Sequence, residues 1–210
     1  MPKPDWPTAA PFVPETDDLE QLRAAAQDCR GCPLHENATQ TVFGRGTAAA
    51  RLMLVGEQPG DVEDREGMPF VGPAGRLLVQ ALDEAGVDRS AAYVTNAVKH
   101  FTFTPRGNRR VHATPDTWEV AACRPWLQAE VALVQPELVV LLGATAAKSL
   151  YGSSFRVTKS RGTVLDWPAE DGPRAMATIH PSAVLRADDR DAALAGLVAD
   201  LRVARDVLAG

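Results

Sequence analysis

Four short apolar runs punctuate the chain, each closed by glycine or a polar cluster: RLMLVG (Arg51–Gly56), YVTNAV (Tyr93–Val98), LVVLLG (Leu138–Gly143) and AMATIHP (Ala175–Pro181). Their length and unbroken apolarity predict strands buried on both faces. Between them apolar residues recur at helical spacing. Helices are expected over Ala74–Ala85, stopped by Gly86, over Asp116–Val134, ended near Pro136, over Ala144–Leu150 and over Asp191–Leu208. A shorter helix is expected over Asp18–Gln27, with Asp17 as its cap. Thr163–Trp167 reads as an edge strand, and Thr41–Gly46 as a short edge strand or loop. Residues 1–16 are rich in proline and polar residues and read as a flexible N-terminal arm before a single domain over 17–210. Strands alternating with helices imply an α/β fold, a three-layer α/β/α sandwich around a mostly parallel four-stranded sheet.

Such sheets bind ligands beyond the carboxyl ends of their strands. The residues found there are Glu57-Gln58-Pro59-Gly60 with Asp61 close behind, Lys99-His100, Gly143-Ala144-Thr145 and His180-Pro181-Ser182. Candidate chemistry therefore gathers on one edge. Neither a dinucleotide fingerprint nor a phosphate-binding P-loop occurs, so nucleotide-cofactor readings lack support.

Composition narrows the class without changing this picture. The chain has 210 residues, 45% hydrophobic and 23% charged, ordinary values for a globular domain. No apolar run approaches the ~20 residues of a membrane span, and the N-terminus lacks the order of a secretory signal, so a cytoplasmic protein is expected. The net charge is −5, which argues weakly against nucleic acid. Its distribution argues the other way. Residues 96–126 hold five Lys/Arg against two acids, and residues 145–165 hold four against none. Local field governs contact, so two basic stretches on an acidic protein leave a phosphate-binding face open alongside scattered solvated charge.

The stretch Asn96–Cys123 mixes chemistries that a core segment does not need. It delivers an Asn, a Lys and His100, then an Arg- and Gly-containing loop ending in His112, then a helix carrying Cys123. Cys29-Arg30-Gly31-Cys32 supplies two more thiols. Three thiols with His100 suit zinc or an iron–sulfur cluster, and spacing does not choose between them.

The motifs GEQPGDVEDREGMPFVGPAG (Gly56–Gly75), VTNAVKH (Val94–His100), ACRPWL (Ala122–Leu127), LLGATAAKSL (Leu141–Leu150) and HPSAVLR (His180–Arg186) occur in one order. Together they resemble the iron–sulfur branch of the uracil-DNA glycosylase superfamily, related to the family 4 enzymes. Within it the chain is most similar to the UdgX type, which bonds covalently to uracil-containing DNA. The commoner branch has Cys where this chain has His100; the UdgX type shares His. Its basic insertion ends Lys-Arg-Arg-Ile-His, and the matching Asn108-Arg109-Arg110-Val111-His112 departs at Asn108 and Val111.

The resemblance implies a structural [4Fe–4S] cluster on Cys29, Cys32, His100 and Cys123. It implies that Gly56, Phe70, Asn96, Arg110 and Ser182 serve the substrate, with Phe70 stacking on uracil and Asn96 reading its edge. Phe70 as plain core and Asn96 as a strand-end cap are the bland alternatives. His180 would stabilise the departing uracil anion, Glu57, Gln58 and Asp61 would occupy the water-handling loop, and His112 would attack the sugar C1′. Arg109 and Arg110 would grip phosphates or the protein itself, and Val184 or Leu185 would wedge the base stack. The expected partner is uracil-containing DNA, preferably single-stranded, with free uracil as product and a monomeric protein. An ordinary turnover glycosylase and a non-catalytic metal-bearing nucleic-acid-binding module are the rival readings.

Overall fold

The computed structural model describes residues 8–210, and its elements follow in chain order. They are α1 (Leu19–Ala26), β1 (Leu52–Gly56), α2 (Asp61–Glu66), α3 (Pro73–Ala85), β2 (Ala92–Asn96), β3 (Phe103–Arg106), β4 (Arg109–His112) and α4 (Thr117–Val134). Then come β5 (Leu138–Leu142), α5 (Ala144–Tyr151), α6 (Val157–Ser160), β6 (Val164–Leu165), β7 (Arg174–Thr178), α7 (Pro181–Leu185) and α8 (Arg190–Ala209). The main sheet has the order β2-β1-β5-β7-β6. The first four strands run parallel and β6 joins antiparallel. All four expected strands are present, and the Thr163–Trp167 stretch supplies a short fifth.

Alternate residues of each strand feed opposite faces, as a period of two demands. Met53, Val55, Tyr93, Val139 and Leu141 pack with Trp126 and Leu127 of α4 and Ala146 and Ala147 of α5. Leu52, Leu54, Val94, Val140 and Met176 pack with Leu78 and Leu82 of α3 and Leu197 and Leu201 of α8. Burying each such Leu or Met contributes about 1.5–3 kcal/mol. The helices run back over both faces, and every parallel strand ends at the same edge.

Several expectations change. Asp18, not Asp17, caps α1, accepting the Glu20 amide at 2.7 Å. The Thr41–Gly46 stretch contributes a single bridge, with Arg45 and Val94 exchanging amide–carbonyl bonds of 2.8 Å. The loop between Asn96 and α4 contains a two-stranded hairpin, β3–β4. Helices α2, α6 and α7 arise where loops were expected. Of the expected arm, residues 1–7 lie outside the described residues, but Ala9 is buried and donates its amide to the Ala122 carbonyl at 2.8 Å. Pro125 sits inside α4 and removes the amide that would meet the neighbouring Ala121 carbonyl. Val184, expected as a wedge, is core, whereas Leu185 is half-buried. Among the described residues no helix is long and apolar enough to cross a membrane.

Candidate active site at the carboxyl edge of the sheet

Gly56 and Asn96 close β1 and β2 side by side. A Cβ on Gly56 would lie 2.3 Å from Asn96 Oδ1 and 2.7 Å from Phe70 Cζ. Only glycine lets that amide and that ring converge. Asn96 is 2% exposed, yet among the described residues no hydrogen bond engages its side-chain amide. Its polar atoms are not among the fully buried unpartnered ones, so they keep a trace of solvent contact and are free to meet a ligand. Phe70 has φ of +58°, a left-handed conformation costing about 1–3 kcal/mol for a bulky residue. Gly75, at the start of α3, packs so closely that a Cβ there would lie 1.8 Å from the Phe70 carbonyl oxygen. The surrounding packing holds the backbone there, and the Phe70 ring centroid lies 6.3 Å from the His180 ring.

His180 caps α7. Its Nδ1 accepts the Ser182 amide at 3.1 Å and lies 2.8 Å from Ser182 Oγ. An accepting Nδ1 fixes the proton on Nε2, so the free nitrogen is a donor. Burial, with nearby His112 and Arg186 adding to it, lowers the His180 pKa to about 4. His180 is thus a neutral donor at ordinary pH, and Ser182 is the residue that orients it.

The hairpin is fastened to the loop after β1. Gln58 Oε1 accepts the Thr102 amide at 3.0 Å, which fixes the orientation of its own amide. Gln58 Nε2 then donates to the Ala113 and Thr102 carbonyls at 2.8 and 3.1 Å, and lies 3.0 Å from His112 Nε2. The two hydrogens of that amide are shared among three neighbours, so the contact places the His112 ring without choosing its tautomer. Glu57 Oε1 lies 3.6 Å from the same nitrogen, and Glu57 Oε2 accepts the Thr145 hydroxyl. The His112 side chain is 49% exposed, so it stands at the mouth and not in the core.

Arg110 does not reach outward to substrate. Its guanidinium donates to Asp61 at 2.5 Å, to Asp64 at 2.6 Å and to Thr39 Oγ1 at 3.1 Å, and it lies over the Phe101 and Phe103 rings. Asp61, expected in the water-handling loop, is therefore engaged by Arg110 and Arg65. These groups pin the hairpin to α2. Arg109, one position earlier, is exposed. Thr145, Asp64 and Thr39 were missed as site-supporting residues. Thr145 was visible as a polar side chain just after β5, but nothing in the sequence pairs Asp64 with a residue 46 positions away.

Cys29, Cys32 and Cys123 are unpaired and buried. Cys29 Sγ accepts the Trp126 indole N–H at 3.2 Å, and Cys123 Sγ accepts the Lys99 amide at 3.3 Å. Burial pushes the Cys32 thiol up to about 11 and the Cys123 thiol up to about 12, so a bare thiolate is disfavoured at either position. The Thr41 hydroxyl donates to the Ala26 carbonyl and so accepts from His100 Nε2 at 2.9 Å. That leaves the His100 Nδ1 lone pair free, and burial holds this imidazole neutral, its pKa lowered to about 4. A cavity of about 260 Å³ lies beside Cys29, His35, Thr41 and His100. Among the described residues no three Cys, His, Asp or Glu side chains converge as a single metal ion requires. Thiols receiving N–H bonds and one free imidazole nitrogen are a donor set of the kind that a cluster with ligands spread over several irons uses.

Residues 43–202 match the family model described as the uracil DNA glycosylase superfamily. The chain is 40% identical over 169 residues to the type-4 uracil-DNA glycosylase of Thermotoga maritima, covering 80% of this chain and 83% of that protein. It is 36% identical over 175 residues to the type-4 uracil-DNA glycosylase of Sulfurisphaera tokodaii, covering 80% and 76%. It is 31% identical over 173 residues to the type-5 uracil-DNA glycosylase of Pyrobaculum aerophilum, covering 71% of each. Gly56, Phe70, Asn96 and His180 thus meet at the carboxyl edge of a chain that belongs to the uracil-DNA glycosylase superfamily.

Proposed function

We propose that the protein excises uracil from DNA and keeps the abasic sugar as a covalent adduct on His112, in the manner of the UdgX type that it resembles. The names of its relatives support uracil as the substrate. One observation carries the second half: His112 Nε2 is gripped at 3.0 Å by Gln58 with the Glu57 carboxylate 3.6 Å away, on a hairpin fastened at its base. An imidazole held in one place at the pocket mouth is a nucleophile in waiting.

A base inside a duplex is out of reach, so single-stranded DNA is the easier substrate. The flipped uracil stacks on Phe70, and the Asn96 amide accepts from uracil N3–H and donates to O4. Cytosine presents the opposite pattern and leaves the amide unsatisfied. The C1′–N1 bond breaks with its electron pair leaving on uracil, and the His180 Nε2–H donates to the O2 where that charge gathers. The Glu57 carboxylate, oriented by Thr145, stabilises the cationic sugar. The Nε2 lone pair of His112 forms the new bond to C1′. The resulting imidazolium loses its Nδ1 proton to solvent, which also protonates the departing uracil anion. Gln58 and the Arg110-bound Asp61 leave little freedom for a competing water. When bound, the [4Fe–4S] cluster supplies a cross-link, and Cys29, Cys32, Cys123 and His100 Nδ1 would hold it, tying the segment after α1 to α4 and to the segment after β2.

The test is a denaturing gel with single-stranded uracil-containing DNA. Wild type gives a shifted band at one DNA per protein, and His112→Ser gives none. Free abasic DNA accumulating over many turnovers of wild type would establish ordinary hydrolysis instead.

A further inference from the structure

Lys99 is the residue that neither the pocket nor the cluster accounts for. It is wholly buried, as is Glu130, and the two form an ion pair of 2.5 Å. Removing two charges from water costs about as much as their attraction returns, so such a pair contributes little to stability by itself. Its geometry suggests another use. Lys99 Nζ also donates to Thr95 Oγ1 at 2.6 Å and to the Asn96 carbonyl at 2.8 Å. Strand β2 lies at the edge of the sheet, so its outward carbonyls lack a ladder partner. Arg45 takes that of Val94, and the Lys99 ammonium takes that of Asn96.

Glu130 is itself fixed by the Tyr93 hydroxyl at 3.0 Å, the Thr95 hydroxyl at 2.9 Å and the Gly44 amide at 3.1 Å. It lies on α4 seven residues beyond Cys123, two turns along the same face. Lys99 therefore meets that face twice, with its amide on Cys123 Sγ and its ammonium on Glu130. The Asn96 side chain has no hydrogen-bond partner among the described residues, so its aim follows from its backbone and from its packing at Gly56.

We infer that Lys99, clamped by Glu130, is a positioning residue that sets the aim of the base-reading amide of Asn96 by holding the Asn96 carbonyl to α4. The inference rests on Asn96 reading the base, as proposed above. The variant Lys99→Met with Glu130→Gln removes both charges and the bond to Asn96, while the new amide keeps acceptors for Tyr93 and Gly44. The readouts are the single-turnover rate of uracil release from a single-stranded oligonucleotide at saturating protein, the affinity for the same oligonucleotide without uracil, and absorbance near ~400 nm from the cluster. The expected result is a rate at least about tenfold lower, with affinity and absorbance unchanged. In an Asn96→Ala background the same pair of substitutions should have no further effect, because Lys99 acts only through Asn96.

A rate within twofold of wild type overturns the inference, as does an undiminished loss in the Asn96→Ala background. If Asn96→Ala alone leaves the rate unchanged, it is base reading by Asn96 that fails. Should the paired variant not fold, Glu130→Asp keeps both charges and draws the ammonium away from Asn96. It should lower the rate in the same Asn96-dependent way, and a wild-type rate there overturns the inference.

Discussion

At the scale of single residues, the site is defined by small groups that leave room and by imidazoles whose tautomers are fixed. Gly56 is the clearest case. An added methyl would press against the Asn96 amide oxygen at 2.3 Å and a Phe70 ring carbon at 2.7 Å. Gly56→Ala should therefore lower uracil release by at least about a hundredfold, as misplaced reactants typically do. Affinity for uracil-free DNA should stay unchanged, which a filter-binding measurement beside the single-turnover assay checks. His180 makes a different prediction. Its pKa is about 4 in the folded protein against 6.5 for the free side chain. Between those values the unfolded chain binds a proton that the folded one does not, so stability falls as pH drops from 6.5 towards 4. His180→Gln should flatten that part of the stability–pH curve measured by denaturant titration. Because the folded His180 stays neutral, uracil release by wild type should show no inflection near 6.5 arising from it.

At the scale of elements, what was legible depended on where the information lies. The strands β1, β2, β5 and β7 announced themselves because strands buried on both faces must be apolar throughout, and α3, α4 and α8 because one face alternates with another. The hairpin β3–β4 did not. FTPR and RRVH are mostly exposed and polar, with Pro105 inside a strand, and their pairing is enforced by Gln58 and by Arg110 on Asp61 and Asp64. Those partners lie 44 to 49 positions away. Asn96, Phe70, His112 and His180 are singled out by motif resemblance, and the His180 tautomer and the Phe70 strain are tertiary facts that no motif carries. Arg110 shows the limit best, since a basic loop reads as a phosphate grip whereas this guanidinium faces inward. Arg110→Ala should cost about 1–3 kcal/mol in denaturant-measured stability, since Asp64 is left buried without its cation. It should slow adduct formation by freeing the hairpin. The salt dependence of DNA binding should not change, and a slope reduced by a full phosphate contact would show that Arg110 grips DNA after all.

At the scale of the whole molecule, the question is how a chain of net charge −5 holds a polyanion. The acids are unevenly used. Asp61 and Asp64 are paired with Arg110, Glu130 with Lys99, and Asp200 with Arg161. Within residues 145–165 no acid occurs, and Lys148, Arg156 and Lys159 are exposed. Among the described residues, Arg156 donates only to the nearby carbonyls of Ser153 and Phe155. The segment runs from α5, whose first turn carries Thr145 against Glu57, to Arg161, which bridges Ala177 near the carboxyl end of β7. Both ends of the segment therefore lie at the carboxyl edge, and the field of its cations acts over a Debye length of about 8 Å at physiological salt, so the distant acids of the protein count for little. Each phosphate neutralised on a single strand contributes about 0.7 to the slope of log affinity against log salt. Replacing Lys148, Arg156 and Lys159 together by Gln should weaken binding of single-stranded DNA and lower that slope by about 2, while leaving the single-turnover rate at saturating protein intact. An unchanged slope would move the DNA path away from this flank and towards the exposed Arg106 and Arg109 at the hairpin tip.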